Sequence, residues 1–219
     1  MSLDDKIDNL KEHRDQLRKR KFQIKKGWRH NIKERIARVT RKIRRLKRKN
    51  KADIEIKQVP FAGTGSMASG GHKIVWHTTE GSTAAGAFGA YRASGAYPHF
   101  TLGEDGVAYQ HLPFSQYATA LQHIGPYETN RANAIQVEIV GFASQSGSWS
   151  DARYASIRAL AEYIHNKFKV PMDSQVSFSN PSRLSGSAFV NAEGHTGHVH
   201  VPNNSHYDPG TGFKIGKVI

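Results

Sequence analysis

Through the first fifty residues, apolar positions recur at three- and four-residue steps, the period of an amphipathic helix. Leu3, Ile7, Leu10, Leu17 and Ile24 form one seam, and Ile32, Ile36, Val39, Ile43 and Leu46 form a second in a shifted register. Between them lies KKGWRHN, residues 25–31, where Gly27 and Asn31 read as helix stop and start signals. The pattern predicts two helices of about 20 residues each, folded as a hairpin or continued as a self-associating coiled coil.

Past residue 50 the pattern changes. FAGTGSMASGGHK, residues 61–73, is rich in Gly and Ser and reads as flexible, so residues 51–71 are expected to be a linker and 72–219 a second domain. KIVWH (73–77) is a short apolar strand ending in His77, and STAAGAFGAYRASG (82–95) is a helix of small residues closed by Gly95. HFTLGEDGVAYQHL (99–112) is a hairpin around a Glu-Asp-Gly turn. AIQVEIVGF (134–142) is a β-branched strand, with Glu138 among apolar neighbours. In SDARYASIRALAEYIHNKF (150–168), Tyr154, Ile157, Leu160, Ala161, Ile164 and Phe168 share one helix face behind a Ser150 cap. The last fifty residues read mostly as loop. The expected fold is mixed α/β, a central sheet flanked by helices, preceded by a basic helical module over residues 1–50.

Charge sharpens that division. Of 32 Lys and Arg, 20 fall in residues 1–50 against 6 Asp and Glu, which leaves 12 of each sign in the remainder. The whole excess of +14 therefore sits on the helical module. Such a surface attracts polyanions: an anionic envelope polymer, anionic lipid or nucleic acid. Aromatic residues are sparse there, only Phe22 and Trp28, which disfavours a base-stacking platform. Oligomerisation through the helices is the other use of such seams. MSLDDKIDNLKEHRDQLRKR has no apolar signal core, so the chain is expected to be made in the cytoplasm and to need release before acting outside.

With 0 Cys, thiolate metal sites, thiol nucleophiles and disulfide frameworks are excluded, and any metal must be held by imidazole and carboxylate. GHVHVPNNSHYDPG, residues 197–210, concentrates His198, His200, His206 and Asp208 in a stretch too rich in Pro, Gly and Asn for regular structure. Glu138 is costly inside an apolar strand unless a partner or a metal stands nearby. Together with His77 at a strand end, these residues include the nitrogen and oxygen donors and the nearby carboxylate from which a catalytic zinc site is built, so the composition permits a zinc hydrolase.

KIVWHTTEG, YPHFTLGEDGVAYQHLP, NAIQVEIVG and GHVHVPNNSHYDPG resemble, in order and spacing, the type 2 N-acetylmuramoyl-L-alanine amidases, zinc enzymes similar to peptidoglycan recognition proteins. The resemblance covers about residues 72–213 and leaves the basic helices outside it. It implies Zn²⁺ held by His77, His198 and Asp208, with Glu138 as the catalytic carboxylate. His195 and His200 compete for the second ligand position, where the Gly-His order and the ten-residue step to Asp208 favour His198. His206 stands where many members have a lysine that stabilises the oxyanion, and an imidazolium can do the same electrostatic work. Many members have Tyr directly before the His-Phe of the second strand, and here that place is Pro98, one step after Tyr97. Tyr127, Asn130 and Arg131 are candidate substrate contacts.

The implied reaction is hydrolysis of the lactyl–L-alanine amide of bacterial peptidoglycan. The wording looks most like amidase domains of phage endolysins and actinobacterial proteins, and an endolysin of this kind would reach the wall with a holin. The competing readings are a peptidoglycan-binding protein without activity and a nucleic-acid or virion-associated protein led by its basic helices.

Overall fold

The computed structural model describes residues 3–21, 29–50, 54–121 and 126–219. They form two compact units, Met1–Ala52 and Asp53–Ile219. In the first, α1 (Leu3–Lys21) and α2 (Arg29–Asn50) pack against one another within one chain, as a hairpin requires. Ile7 and Leu17 of α1 and Ile32 and Ile43 of α2 are buried, so the two apolar seams cover each other. Gly27, Phe22, Ile24 and Trp28 lie outside the described residues. Among the described residues no helix is long and apolar enough to cross a membrane.

The second unit is built on a six-stranded sheet in the order β1-β4-β3-β5-β2-β6, from β1 (Ile56–Gln58), β2 (Ala68–Thr78), β3 (Phe100–Leu102), β4 (Ala108–Gln110), β5 (Ala132–Ile139) and β6 (Gly194–Gly197). All neighbours are parallel except the β3–β4 hairpin. Three helices accompany it: α3 (Ala84–Ser94), α4 (Asp151–Phe168) and α5 (Gly186–Asn191). The mixed α/β expectation holds, with each long helix capped as its sequence suggests. Thr83 and Ser150 accept the backbone N–H of Gly86 and Arg153, and Gly95 closes α3 in the left-handed region at φ 74°.

Strand alternation sorts the core. Ile74 and Trp76 of β2 and Ile135, Val137 and Ile139 of β5 face α4, meeting Tyr154, Ile157, Leu160 and Ile164. The other face carries Val75 and Ala134, covered by Leu121, Phe189 and Val201. His77 and Glu138 alternate onto this second face.

Two stretches depart from the sequence pattern. Residues 54–71 are no free linker: β1 pairs in parallel with β4, the Val59 N–H donates to the Gln110 carbonyl (2.9 Å), and β2 begins at Ala68. Backbone pairing, which composition does not display, outweighs the flexibility of Gly and Ser here. The last fifty residues are also more ordered than their composition suggests. They hold α5 and β6, and β6 is a strand, despite its sequence Gly-His-Thr-Gly, because it pairs along β2.

Candidate metal centre

The site stands at the carboxyl ends of the three strands β5, β2 and β6. In the parallel β2–β5 pair, His77 is in register with Glu138, which puts both side chains on one face. The β2–β6 register ends at Trp76 opposite Gly197, so the next residue on each chain brings His198 beside His77. Gly197 is required there, since a Cβ would lie 2.6 Å from the Pro209 ring and 3.1 Å from Phe178. That close approach lets the chain fold back so that Asp208 reaches the two histidines, and the Val199 N–H donates to the Asp208 carbonyl (2.9 Å).

The Nδ1 atoms of His77 and His198 are 3.1 Å apart, and each lies 3.4 Å from an oxygen of Asp208. All three residues are buried, and among the described residues they form a group able to hold a metal ion. Tetrahedral zinc with bonds of 2.0–2.1 Å sets its donors about 3.3 Å apart, so the separations fit. Glu138 Oε2 is buried beside this group with no hydrogen-bond partner among the described residues, a free carboxylate oxygen next to the donors.

Glu138 lies with Oε1 3.9 Å from His77 Nδ1, close to the cluster but outside it. Burial pushes its pKa up to about 7, the charges of Asp208 and Glu80 add to the rise, and His77 opposes it. Burial lowers His198 to about 4, and the neighbouring His77 adds to that. Burial also opposes charge on His77, but the hydrogen bond to Asp208 and the charges of Glu138 and Asp208 outweigh it and raise its pKa. Asp208 goes the other way: burial would raise it, but hydrogen bonds from His198, His206 and His77 hold it far below the usual carboxylate range.

The other histidines of the segment are told apart by their places and partners. His200 accepts the Gly197 N–H at Nδ1 (2.9 Å) and therefore donates from Nε2 to the Ser177 carbonyl (3.0 Å). Both ring nitrogens are used, and the ring braces the turn that carries His198. His195 lies in register with Ile74 on the α4 face, where the Trp76 indole N–H donates to its Nδ1 (3.1 Å). Neither belongs to the His77, His198 and Asp208 group. His206 stacks on the His198 ring at 3.9 Å with Nδ1 3.5 Å from Asp208 Oδ1, its side chain 51% exposed, at the mouth of the site.

Of the candidate substrate contacts, Asn130 is committed to the fold: its amide pairs with Leu121 N–H and carbonyl and accepts from Gln136. Arg131 donates to the Ser66 carbonyl (3.2 Å). Tyr127 is 41% exposed and leans on Gly186. Tyr97 stacks on Phe61 at 4.9 Å.

Three supporting residues gave no signal in the sequence. Arg183 donates to the carbonyls of Val199 and His206, both at 2.9 Å, and so clamps the loop bearing two of the three donors. Asn204 accepts the His206 N–H at 2.7 Å. Glu80 accepts from Thr78 Oγ1 (2.7 Å) and the Ala143 N–H (2.8 Å), joining the loops that follow β2 and β5. Arg183 and Glu80 act through partners distant in the chain that no local motif announces, whereas Asn204 holds a local turn.

The class this arrangement points to is that of hydrolases built around one metal ion and one free carboxylate. Comparison then gives the family: residues 69–211 match the profile described as N-acetylmuramoyl-L-alanine amidase, and the chain belongs to that family. No curated protein sequence matches. A selenomethionine derivative of AmpD shares the fold with a TM-score of 0.51 at 17% identity, over 76% of this chain and 93% of that one. The Ph2119 endolysin from Thermus scotoductus MAT2119 bacteriophage Ph2119 aligns at 16% identity and TM-score 0.43, over 68% and 89%. PlyL aligns at 22% identity and TM-score 0.38, over 54% and 76%.

Proposed function

We propose that this amidase is zinc-dependent and hydrolyses the amide between the lactyl group of N-acetylmuramic acid and L-alanine in bacterial peptidoglycan. The observation that carries the reading is the convergence of His77, His198 and Asp208, with Glu138 free beside them. His77, His198 and Asp208 would hold the ion. Bound zinc supplies a Lewis acid that polarises the carbonyl and makes water acidic.

The chain's own residues supply the rest. Glu138 takes a proton from the attacking water and passes it to the departing alanine nitrogen, a double duty that suits the free carboxylate beside the donor group. His206, half-exposed beside Asp208, would donate to the developing oxyanion. Asp208 would bring negative charge to the centre as one of the ligands. The biological setting we propose is that of a phage endolysin, made in the cytoplasm and acting on the wall after release. The resemblance of the GHVHVPNNSHYDPG segment supports that setting.

The test is digestion of purified peptidoglycan by the parent and by Glu138→Ala, with new amino termini identified and zinc measured by elemental analysis. One zinc in each protein, and L-alanine amines from the parent alone, is the expected result. Protein without zinc, or new reducing sugars in place of amines, overturns the reading.

A further inference from the structure

The basic module is not uniformly cationic. On α1 three of the bases are answered locally: Lys11 pairs with Asp8 at 2.6 Å, Arg14 with Asp15 at 3.1 Å and Arg18 with Asp15 at 3.4 Å. The Arg14 hydrogen bond holds the Asp15 carboxyl below its usual range, so that pairing favours the charged form. On α2 the situation is reversed. Lys33, Arg35, Arg38, Arg41 and Lys42 are all exposed, and among the described residues none of them has an acidic partner. Glu34 is the single acid on the 22 residues of α2, whose sequence continues with Arg44, Arg45, Lys47, Arg48 and Lys49.

The two helices therefore have different jobs. The apolar side of α1 covers that of α2, through Ile7, Leu17, Ile32 and Ile43, while three of its bases are paired with its own acids. Among the described residues, α2 offers solvent five cations that no acid answers. Ile32 and Ile43 are buried in the hairpin and Ile36 and Val39 are half-buried, so among the described residues α2 has no fully exposed apolar face to sink into a bilayer, which interfacial helices need. The described parts of both helices carry no aromatic residue, so nothing there stacks on bases. What remains is charge complementarity to a flexible chain of phosphates.

We infer that the outward face of α2, through Lys33, Arg35, Arg38, Arg41 and Lys42, binds the phosphodiester-linked polyol polymer attached to peptidoglycan in phosphate-rich cell walls. The choice of a wall polymer over other polyanions rests on the amidase reading. A polymer fixed to the substrate of the second unit turns weak, salt-sensitive contacts into a high local concentration of enzyme at that substrate. Five or more cations along one helix favour that use, since each phosphate neutralised releases counterions and adds to affinity.

The test uses full-length protein carrying Glu138→Gln, so the wall stays intact and binding is read by co-sedimentation independently of hydrolysis. Purified walls retaining the phosphate polymer are compared with the same walls stripped of it by hydrofluoric acid, over a salt series. The expected result is binding to the untreated wall that weakens steeply with salt and falls at least about tenfold on stripping. Arg35→Gln/Arg38→Gln/Lys42→Gln reproduces the loss, with helix content unchanged by circular dichroism, whereas Lys11→Gln/Arg18→Gln on α1 leaves binding within about twofold. Hydrolysis of a soluble muramoyl peptide by the α2 variant in the Glu138 background of the parent stays unchanged. Equal binding to stripped walls, a larger loss from the α1 variant, or preferential binding to phosphatidylglycerol vesicles or to duplex DNA overturns the inference. Failure of the amidase reading would show separately, as absence of L-alanine amines in the digestion assay.

Discussion

Two positions along β2, its middle and its carboxyl end, each bury a group that water would rather keep, and they handle it in opposite ways. At the middle, Lys73 is fully buried, and its ammonium donates to the carbonyls of Gly71 (2.6 Å), Ala132 (2.6 Å) and Val190 (3.2 Å). Burial lowers its pKa to about 8, but three carbonyls absorb all three of its protons. At the carboxyl end, His77, His198 and Glu138 are buried with one polar atom each left over. The fold completes the first group from its own backbone and leaves the second incomplete. A buried polar group satisfied from within is scaffold. One left open, in company, is the signature of a site.

Substitutions can break or sharpen that contrast. The largest effect is expected at the open end: Asp208→Ala removes the carboxylate shared by both imidazoles, and zinc retention and amine release are both lost. Glu138→Ala lowers amine release by about 10²–10⁴-fold, the usual worth of a general acid–base, while zinc measured by elemental analysis stays bound.

At the closed position, Lys73→Met strands three carbonyls. Chemical denaturation should show a loss of about 1–3 kcal/mol, with zinc content per folded molecule unchanged. Loss of zinc in Lys73→Met would erase the distinction between the two positions.

The Glu138→Gln variant tests the strain of incompleteness directly. The folded pKa of about 7 lies above the model-compound 4.5, so the folded state binds more protons than the unfolded one between those values. The penalty for ionised Glu138 is therefore absent below about pH 4.5 and fully present above about pH 7. In chelator, Glu138→Gln should be more stable than the parent at pH 8 by about 1–3 kcal/mol, and the gap should close on acidification toward pH 4.5.

The smallest effects separate neighbouring histidines. His200→Ala frees the Gly197 N–H beside His198 and should weaken zinc binding by about 10–100-fold in competition with a chelator. His195→Ala, on the opposite face, should leave zinc affinity unchanged.

Much of this was legible in the sequence, for reasons specific to each element. α4 announces itself by six apolar residues on one face and a Ser150 cap, and Glu138 by its cost in an apolar strand. His77 shows because it closes such a strand. The linker reading of residues 54–71 fails because pairing of β1 with β4 is a long-range property of backbone groups and leaves little trace in side-chain pattern. β6 escapes for the same reason, since Gly194 and Gly197 serve close packing and not strand propensity. The choice among His195, His198 and His200 needed register: one residue's shift along β6 moves a ring to the other face. Lys73 was invisible, because a lysine at the head of an apolar strand ordinarily reaches solvent.

Thr78, the residue after His77, and Asp208 are separated by 130 positions in the chain, yet the Thr78 N–H and the Asp208 carboxylate meet at 3.4 Å. During synthesis at about 5–20 residues per second, the first donor therefore emerges many seconds before the last, and no partial chain ending before Asp208 holds the complete set. The timing of hydrolytic competence is written into the topology. A chain interrupted anywhere between β6 and Asp208 holds all six strands of the sheet and still lacks the complete donor set.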